Sequence, residues 1–379
     1  MNMERYLEEK RVSYGNFDGI EWNDLTEVKK MRESTRITTP LDINWTWDYV
    51  GQVEELRRLY DISKRRMWDA ERDLDWSEPI DRSKQWGQHP KTSPIAQLLQ
   101  MRGAGEDEIR EATWESFEYT CSQLLHGEQA ALEICGQLTA ACPDVDMKFF
   151  AGSQVFDEVR HMEVFAKFLQ RKLGKIHPLD PNVKFLLEEI MKADCWEKKT
   201  LGMQTLFEGM ALGVMDMMKN ASDVPLFDEL ITRVILDESR HAAFGIISMK
   251  RVMESCETSP EMKADLEDWA FNILECLNAG QYYGVISALG PKYGIDAHNV
   301  SAMMYASTDA LEAKSVIYTH AVIPHLKKLG LITERTEEKY RDAGLIKDIT
   351  KVGTYSVTTE NAWDQAPVLP MANSVAAKN

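Results

Sequence analysis

Apolar residues recur at helical spacing almost without interruption from residue 106 to residue 256. Positions three and four apart share one face of a helix, so this pattern predicts long helices rather than strands. Three breaks, CPDVD, GKIHPLDPN and KNASDVP, contain the Gly, Pro, Asn and Asp residues that end helices. The predicted long helices cover about 106–141, 145–173, 194–219 and 225–256. We therefore predict an all-α fold built around a four-helix bundle with additional helices.

The segments on both sides of this core have weaker patterns. Residues 53–76 show helical spacing in their first half, and residues 77–94 contain prolines and are interpreted as a loop. Gly174 is placed to end the second long helix, and Pro260 suits the first position of a fifth. A sixth helix is predicted from about residue 298. We expect one structural domain, composed of an N-terminal arm and accessory helix (1–105), a four-helix core (106–257), accessory C-terminal helices (258–349) and a flexible tail (350–379).

The second and fourth long helices both contain the pentapeptide Asp-Glu-x-Arg-His, at residues 157–161 and 237–241. Residues three apart lie on one face of a helix, so the Glu and the His of each copy point the same way. A carboxylate and an imidazole on one face form half of a site for a divalent metal ion. The two pairs are Glu158 with His161 and Glu238 with His241. Two such halves would make a dinuclear site if the helices meet.

A further glutamate stands thirty residues before each pair, Glu128 before Glu158 and Glu208 before Glu238. Both upstream glutamates lie in apolar helical stretches, where an unpaired charge is costly. In the first hairpin the two arms, of about 14 and about 12 residues, place both carboxylates at the same height. The arms of the second hairpin have similar lengths, so Glu208 and Glu238 are also expected at the same height. The predicted metal ligands, which are also the predicted catalytic residues, are Glu128, Glu158, His161, Glu208, Glu238 and His241.

The Asp and the Arg of each pentapeptide are predicted to support the ligands. A ligating histidine usually donates its other ring N–H to a carboxylate, which fixes the ring. We expect the aspartate of one hairpin to reach the histidine of the other, and both arginines to neutralise the buried acids. The alternative is that all four are ordinary surface residues. The expected pairs are Asp157 with His241 and Asp237 with His161, with Arg160 and Arg240 beside them.

One Glu from each of two helices and Glu-x-x-His from the other two is the ligand set of the ferritin-like dimetal carboxylate bundles. Residues 110–255, and the segment FDEVRHMEVF in particular, resemble this superfamily. The region is similar to the cores of bacterial multicomponent monooxygenase hydroxylases, ribonucleotide reductase small subunits, acyl carrier protein desaturases and arylamine N-oxygenases. The resemblance implies a ferritin-like bundle, two iron ions with Glu158 and Glu238 as bridges, and O2 as co-substrate.

At three positions this chain differs from one of these families, which narrows the choice among them. Ribonucleotide reductase small subunits usually carry a radical tyrosine one turn after the first ligand histidine, where this chain has Phe165. Multicomponent hydroxylases have a threonine where this chain has Leu212, which puts their details of O2 activation in doubt. Arylamine N-oxygenases have a seventh ligand, a histidine, where this chain has Val234. Iron storage also fits poorly, because the chain is longer than a ferritin cage subunit.

Apolar side chains around the ligands are predicted to line a substrate pocket. Such a pocket would admit a hydrophobic small molecule and exclude water. The predicted lining residues are Leu125, Phe156, Phe207, Met210, Ala211 and Leu212. We expect a diiron monooxygenase or oxidase that hydroxylates, desaturates or N-oxygenates this substrate. Two alternatives stay open, a ligand-binding oxidase or radical-generating subunit with a manganese–iron pair, and a non-catalytic metal-binding subunit of a larger complex.

Composition limits the partners and the location. A net charge of −17 argues against nucleic acid, which requires a basic surface. The six cysteines are scattered without a CxxC pair, which favours a reducing compartment. No membrane span or signal peptide is visible, so a cytoplasmic location is predicted. No flavin, haem or iron–sulfur motif is visible, so electrons are expected from an external ferredoxin or reductase. The N-terminal arm suggests a homodimer.

Overall fold

The computed structural model describes residues 37–84, 86, 93–280, 282–297, 317–318 and 321–346. Every regular element within these ranges is a helix, which confirms the predicted all-α class. The predicted flexible tail, residues 298–316 of the predicted sixth helix and the first 36 residues of the arm lie outside the described residues. The domain limits given above therefore stay a prediction. Within the described ranges, no helix combines the length and the apolar character needed to span a bilayer.

Long helices form the core, and shorter helices surround it. The helix α6 is continuous but has three parts, Trp196–Thr200, a π-helical stretch Leu201–Phe207, and Glu208–Ala221. The other helices are α1 (Glu54–Arg65), α2 (Pro94–Met101), α3 (Glu106–Ala141), α4 (Val145–Phe168), α5 (Pro181–Lys192), α7 (Pro225–Glu254), α8 (Pro260–Gly280), α9 (Tyr283–Leu289), α10 (Ile323–Lys328) and α11 (Glu337–Asp342). A π-helical turn, Leu169–Leu173, extends α4, and a 3₁₀ turn, Gly290–Tyr293, follows α9.

The ends of the core helices follow from local chemistry. The side chain of Asp144 caps α4 by accepting a hydrogen bond of 2.8 Å from the backbone N–H of Met147. Gly174 adopts a φ of +85°, the left-handed conformation that ends the helical segment after α4, as predicted. Pro225 and Pro260 occupy the first turns of α7 and α8, where a missing N–H costs nothing. These signals place the turns of both hairpins close to their predicted positions.

Two apolar clusters fill the bundle on either side of one polar layer. On α3, Ala130 and Leu138 belong to one cluster, and the earlier residues Trp114 and Leu125 belong to the other. On α4 the order is reversed, with Phe150 in the first cluster and Phe168 in the second. This reversal is what an antiparallel hairpin requires. Between the two clusters lie the charged side chains of the pentapeptides, held at one level of the bundle.

Two local features were absent from the sequence interpretation. The helix α2 begins at Pro94, at the end of the predicted loop, and Ser93 caps it by accepting from the N–H of Ala96 at 3.0 Å. The pair Ser93-Pro94 is a recognised helix start, so this signal was available. The π-helical stretch of α6 has no comparable sequence signal. It ends directly before Glu208.

A buried histidine outside the polar layer predicts how stability responds to pH. His177 is 3% exposed, packs against the ring of Tyr119, and its Nε2 atom has no hydrogen-bond partner among the described residues. Burial, together with the charges of Lys175 and His126, lowers the pKa of His177 to about 3. An unfolded chain has a histidine pKa of about 6.5.

We expect the free energy of unfolding to fall as pH decreases from about 6.5 toward 3, because only the unfolded chain then protonates His177. One such group contributes a slope of up to about 1.4 kcal/mol per pH unit. Chemical denaturation of the wild type and of His177→Gln at several pH values measures this slope. Between pH 6.5 and 3, the free energy of unfolding of the variant should fall less steeply than that of the wild type. Equal slopes in the two proteins would show that His177 titrates normally in the fold.

Candidate metal centre

Six buried side chains from four helices converge in the polar layer. They are at most 4% exposed, and they are Glu128 on α3, Glu158 and His161 on α4, Glu208 on α6, and Glu238 and His241 on α7. They form two overlapping groups, each with ligand atoms within 4.8 Å of one another. Glu158 and Glu238 belong to both groups, the position that bridging carboxylates would occupy. The structure thus brings together all six predicted ligands.

The first group surrounds His161. Its Nδ1 atom lies 2.9 Å from Glu238 Oε1, 3.3 Å from Glu158 Oε2 and 3.4 Å from Glu128 Oε2. Its Nε2 atom lies 3.1 Å from Oδ2 of Asp237, on the opposite side of the ring. The imidazole therefore presents one nitrogen to three carboxylates, and a buried aspartate orients it through the other nitrogen.

The second group repeats this arrangement around His241. Its Nδ1 atom lies 2.7 Å from Glu238 Oε2, 3.4 Å from Glu158 Oε1 and 3.5 Å from Glu208 Oε1. Its Nε2 atom lies 3.3 Å from Oδ2 of Asp157. Each aspartate thus contacts the histidine of the other hairpin, which is the crossed pairing expected from the sequence.

The arginines and one tryptophan complete the hydrogen bonds around the aspartates. Arg160 donates to Asp157 and, at 2.8 Å, to Asp237, while Arg240 donates to Asp237. All four side chains are buried, so the alternative of ordinary surface residues is wrong. Trp68 donates from Nε1 to Asp237 at 2.8 Å and was not predicted. It lies 169 residues away in sequence, and no sequence pattern links it to the site.

The electrostatics of the metal-free cluster suit the binding of two cations. Burial and the charge of Glu238 raise the pKa of Glu128 to about 8, and the same two causes raise the pKa of Glu208 well above its ordinary value. Burial alone would lower the pKa of His161 and His241, but the charge of Glu238 and the hydrogen bonds to the neighbouring carboxylates together outweigh burial and raise both pKa values. Protons therefore balance the acidic charge in the absence of metal. Divalent ions would displace these protons.

The donor set fits two metal ions of the kind predicted. Glu158 Oε2 and His161 Nδ1 are buried and have no hydrogen-bond partner among the described residues, although both lie inside the cluster. Orphaned buried acceptors and nitrogens are costly unless a ligand satisfies them. Carboxylate oxygens and imidazole nitrogens are ligands for iron and manganese. The cluster can hold two iron ions or a manganese–iron pair.

An apolar cavity of about 320 Å³ adjoins the cluster. Three predicted ligands contribute to its wall, Glu128, Glu208 and Glu238. Along α3 the lining runs from Glu128 back to Ser116, and along α6 it runs from Glu208 forward to Met218. At a rise of 1.5 Å per residue, these two stretches of wall are about 15–18 Å long. The cavity wall is therefore long in the direction of α3 and α6, and Glu128 and Glu208 stand at the same end of these stretches.

The predicted pocket residues divide into two groups. Phe207, Met210 and Ala211 line the cavity, as expected. Phe156 does not, and it is 53% exposed on the outer face of α4, so its prediction was wrong. It precedes Glu158 by two residues, which turns it to the other side of the helix. Leu125 and Leu212 are buried in the bundle but do not form part of the cavity wall, so these two predictions are also corrected.

Other parts of the cavity wall come from outside the four-helix core. Trp86, Tyr282, Val285 and Tyr318 contribute to the lining, and Leu277 does so from the last turns of α8. These residues are distant in sequence from the ligands. Their place in the site depends on how the accessory helices pack, which periodicity does not reveal. The sequence interpretation therefore missed them.

The four-helix bundle and its ligand set have the arrangement of the ferritin-like dimetal carboxylate proteins. No family model matches the chain, and no curated protein matches it. Among solved structures, the chain is similar to an R2-like ligand-binding oxidase with an aerobically reconstituted Mn/Fe cofactor. The two are 16% identical over 76% of this chain and 99% of that chain, with a TM-score of 0.45. The assignment of the site rests on the helices and side chains described above.

Proposed function

We propose that the protein is an O2-dependent non-haem oxidoreductase that uses two metal ions to oxidise an elongated apolar molecule. The observation that carries this proposal is the contact between the candidate metal centre and the cavity. Three of the six candidate ligands, Glu128, Glu208 and Glu238, form part of the cavity wall. A molecule bound in the cavity would therefore lie against the metals, an arrangement that a purely structural metal site does not need.

The residues of the chain have separable parts in this chemistry. Two metal ions held by these residues would supply the redox chemistry that activates O2. The six carboxylates and imidazoles fix the metals, and Asp157 and Asp237 hold the imidazole rings in orientation. Phe207, Met210 and Ala211 bind the apolar part of the substrate and keep water away from the reacting atoms. Hydroxylation, desaturation and N-oxygenation all remain compatible outcomes.

The cavity also weighs against the alternative of a non-catalytic subunit. A subunit that only binds metal for stability has closed coordination and no adjoining space. Here the cavity volume of about 320 Å³ reaches the carboxylates directly. A manganese–iron pair in place of two irons is a variant of the same proposal, since the donor atoms suit both. The external ferredoxin or reductase, the homodimer and the cytoplasmic location stay predictions.

The proposal is tested by reconstitution of the full chain. The metal-free protein is given Fe(II) without oxygen, and in parallel equal Mn(II) and Fe(II), and is then exposed to O2 with a chemical reductant. We expect O2 consumption and a transient visible absorption that depend on bound metal, and oxidised products from straight-chain apolar compounds of graded length. A protein that binds two metals yet consumes O2 no faster than free metal in buffer would exclude the oxidase.

A further inference from the structure

A pair of buried glutamines lies beside the carboxylates, and neither lines the cavity. Gln154 on α4 and Gln204 in the π-helical stretch of α6 are both fully buried. The Nε2 atom of Gln154 lies 2.8 Å from Glu158 Oε1 and 3.1 Å from Glu208 Oε1. Neither glutamine nor Glu158 contributes to the cavity wall. The carboxylate cluster therefore has an amide face as well as a cavity face.

The two amides hold one another in a defined orientation. Gln204 donates from Nε2 to Gln154 Oε1 at 2.8 Å, and Gln154 Nε2 lies 3.3 Å from Gln204 Oε1. The amide nitrogen of Gln154 carries two hydrogens, and with Oε1 accepting from Gln204, those hydrogens serve the two nearest acceptors, Glu158 and Glu208. An amide also keeps its donor hydrogens at every pH. The donors presented to Glu158 and Glu208 are thus permanent and directed.

The surrounding backbone is shaped to admit this pair. Each glutamine precedes its glutamate by four residues on the same helix, Gln154 before Glu158 and Gln204 before Glu208. On α7, Gly245 lies directly against Gln204, and a Cβ atom there would stand 2.3 Å from the Gln204 Cβ. A glycine at this position therefore lets α7 approach the amide pair. The π-helical stretch holds Gln204 within reach of Gln154.

The pair makes the two halves of the candidate metal centre unequal. The second group contains Glu158, Glu208, Glu238 and His241, and two of its carboxylates contact an amide donor. In the first group, Glu128 takes the place that Glu208 has in the second group, and it contacts His161. Glu158 Oε1, which accepts from the amide, lies 3.4 Å from His241 Nδ1, while Oε2 lies 3.3 Å from His161 Nδ1. The oxygen that the amide holds is therefore the one that faces the His241 side.

We propose that Gln154 and Gln204 are positioning residues that preset Glu158 and Glu208 for the metal ion on the His241 side. The inference rests on the proposed dimetal function and adds an asymmetry between the two metal positions. Without the amide pair, Glu158 and Glu208 lose the donors that fix their rotamers, and binding must then order them. Loss of an orienting partner of a metal ligand typically weakens metal binding about 10–100-fold.

The test compares Gln154→Met and Gln204→Met with the wild type and with a matched control. In the control, Gln137→Met, the same substitution is made on α3 at a half-buried glutamine whose Oε1 has no described partner. Anaerobic titration with Fe(II), followed by metal analysis, measures the two binding constants. We expect one constant to weaken about 10–100-fold in both site variants and the other to weaken clearly less, because only Glu158 of the two oriented carboxylates belongs to both groups.

A spectroscopic readout separates positioning from general damage. Mössbauer spectra of the protein loaded with ⁵⁷Fe(II) resolve the iron environments, and thermal melting of the metal-free variants reports the fold. We expect the signal of one iron to change or disappear while the control keeps both signals. If a methionine variant fails to fold, Gly245→Ala displaces Gln204 by its new Cβ and should cause the same selective loss.

The outcomes distinguish the two proposals. A wild type that binds no metal would remove the proposed function and this inference with it. A wild type with two metals, and variants with unchanged binding constants and spectra, would overturn the positioning role alone. Equal weakening of both metal positions would also contradict it. Gln154 contacts Glu158, which belongs to both groups, and Glu208, which belongs only to the group around His241, so the His241 side should be affected more.

Discussion

Replacing His241 with glutamine is expected to reduce bound metal from two ions per chain to at most one and to abolish O2 consumption. The Nδ1 atom of His241 is surrounded by Glu158, Glu208 and Glu238 at 2.7–3.5 Å, so it is the proposed nitrogen ligand of the second group. Glutamine cannot place a nitrogen lone pair at that point. Reductive O2 activation needs both metals, so we expect turnover to fall at least about 100-fold, the scale of losing an essential catalytic contact.

The same substitution also disturbs the metal-free protein. His241 lies 3.3 Å from Asp157, and carboxylates hold its pKa above the ordinary value although burial alone would lower it. Its charge therefore offsets buried acids when no metal is bound. Removing one partner of a buried ion pair typically costs about 3–5 kcal/mol, so the metal-free variant should melt at a lower temperature.

The control for this experiment is His325→Gln. His325 is another buried histidine, on α10, and is not among the residues of the metal clusters. Metal analysis after anaerobic reconstitution, and an oxygen electrode, measure both variants. The control should keep two metals and full O2 consumption. Two metals per chain in His241→Gln would mean that the ligand assignment is incorrect.

Filling the cavity with Val214→Trp is expected to separate substrate oxidation from metal binding. Val214 lines the cavity on α6 and follows the ligand Glu208 by six residues, which places it about 9 Å along the helix axis. An indole there would occupy much of a cavity of about 320 Å³ without contact with the ligands. We expect two metals to bind as in the wild type and substrate-dependent turnover to fall at least about tenfold, since a poorly placed substrate commonly costs more than that.

Compounds of different length provide a more specific test of the Val214→Trp variant. The elongated shape predicts that long apolar molecules lose more turnover than short ones, because only long molecules extend past Val214. Val159→Trp is the matched control, since Val159 is 39% exposed on α4 and does not line the cavity. Product yields for compounds of graded length give the comparison. Unchanged yields with long compounds in Val214→Trp would show that substrate binds elsewhere.

The convergence of the six candidate ligands could be predicted from the sequence, because in a helix the spacing of residues determines which face and which height they occupy. A difference of three residues puts Glu158 and His161 on one face, and equal hairpin arms put Glu128 level with Glu158. Charged groups within apolar stretches also signal that a partner is required. These arguments use only local periodicity and turn positions, and the structure brings the predicted residues together.

The parts that could not be predicted depend on contacts between distant segments. Trp68 reaches Asp237 from a segment before the core, and Tyr282 reaches the cavity from beside α9. Neither contact follows from a repeat or a spacing. The π-helical stretch before Glu208 changes which residues face inward, and it brings Gln204 to Gln154. Tertiary packing decides such features, so sequence periodicity cannot specify them.

The prediction that Phe156 lines the pocket is wrong because of the direction of its side chain. Phe156 lies two residues from Glu158, and two residues along a helix turn a side chain by about 200°. The structure leaves it 53% exposed. Met210 also lies two residues from a candidate ligand, Glu208, but Met210 lines the cavity because that side of α6 faces it. The direction of a side chain therefore matters as much as its distance in sequence.

The metal content of the purified protein shows whether the six side chains at one level of the bundle bind two metal ions. The metal-free protein is reconstituted anaerobically with excess Fe(II), freed of unbound metal, and analysed by inductively coupled plasma mass spectrometry against protein concentration. We expect two ions per chain in the wild type and at most one in His241→Gln. A wild type that retains no metal, or retains the same amount as that variant, would contradict it.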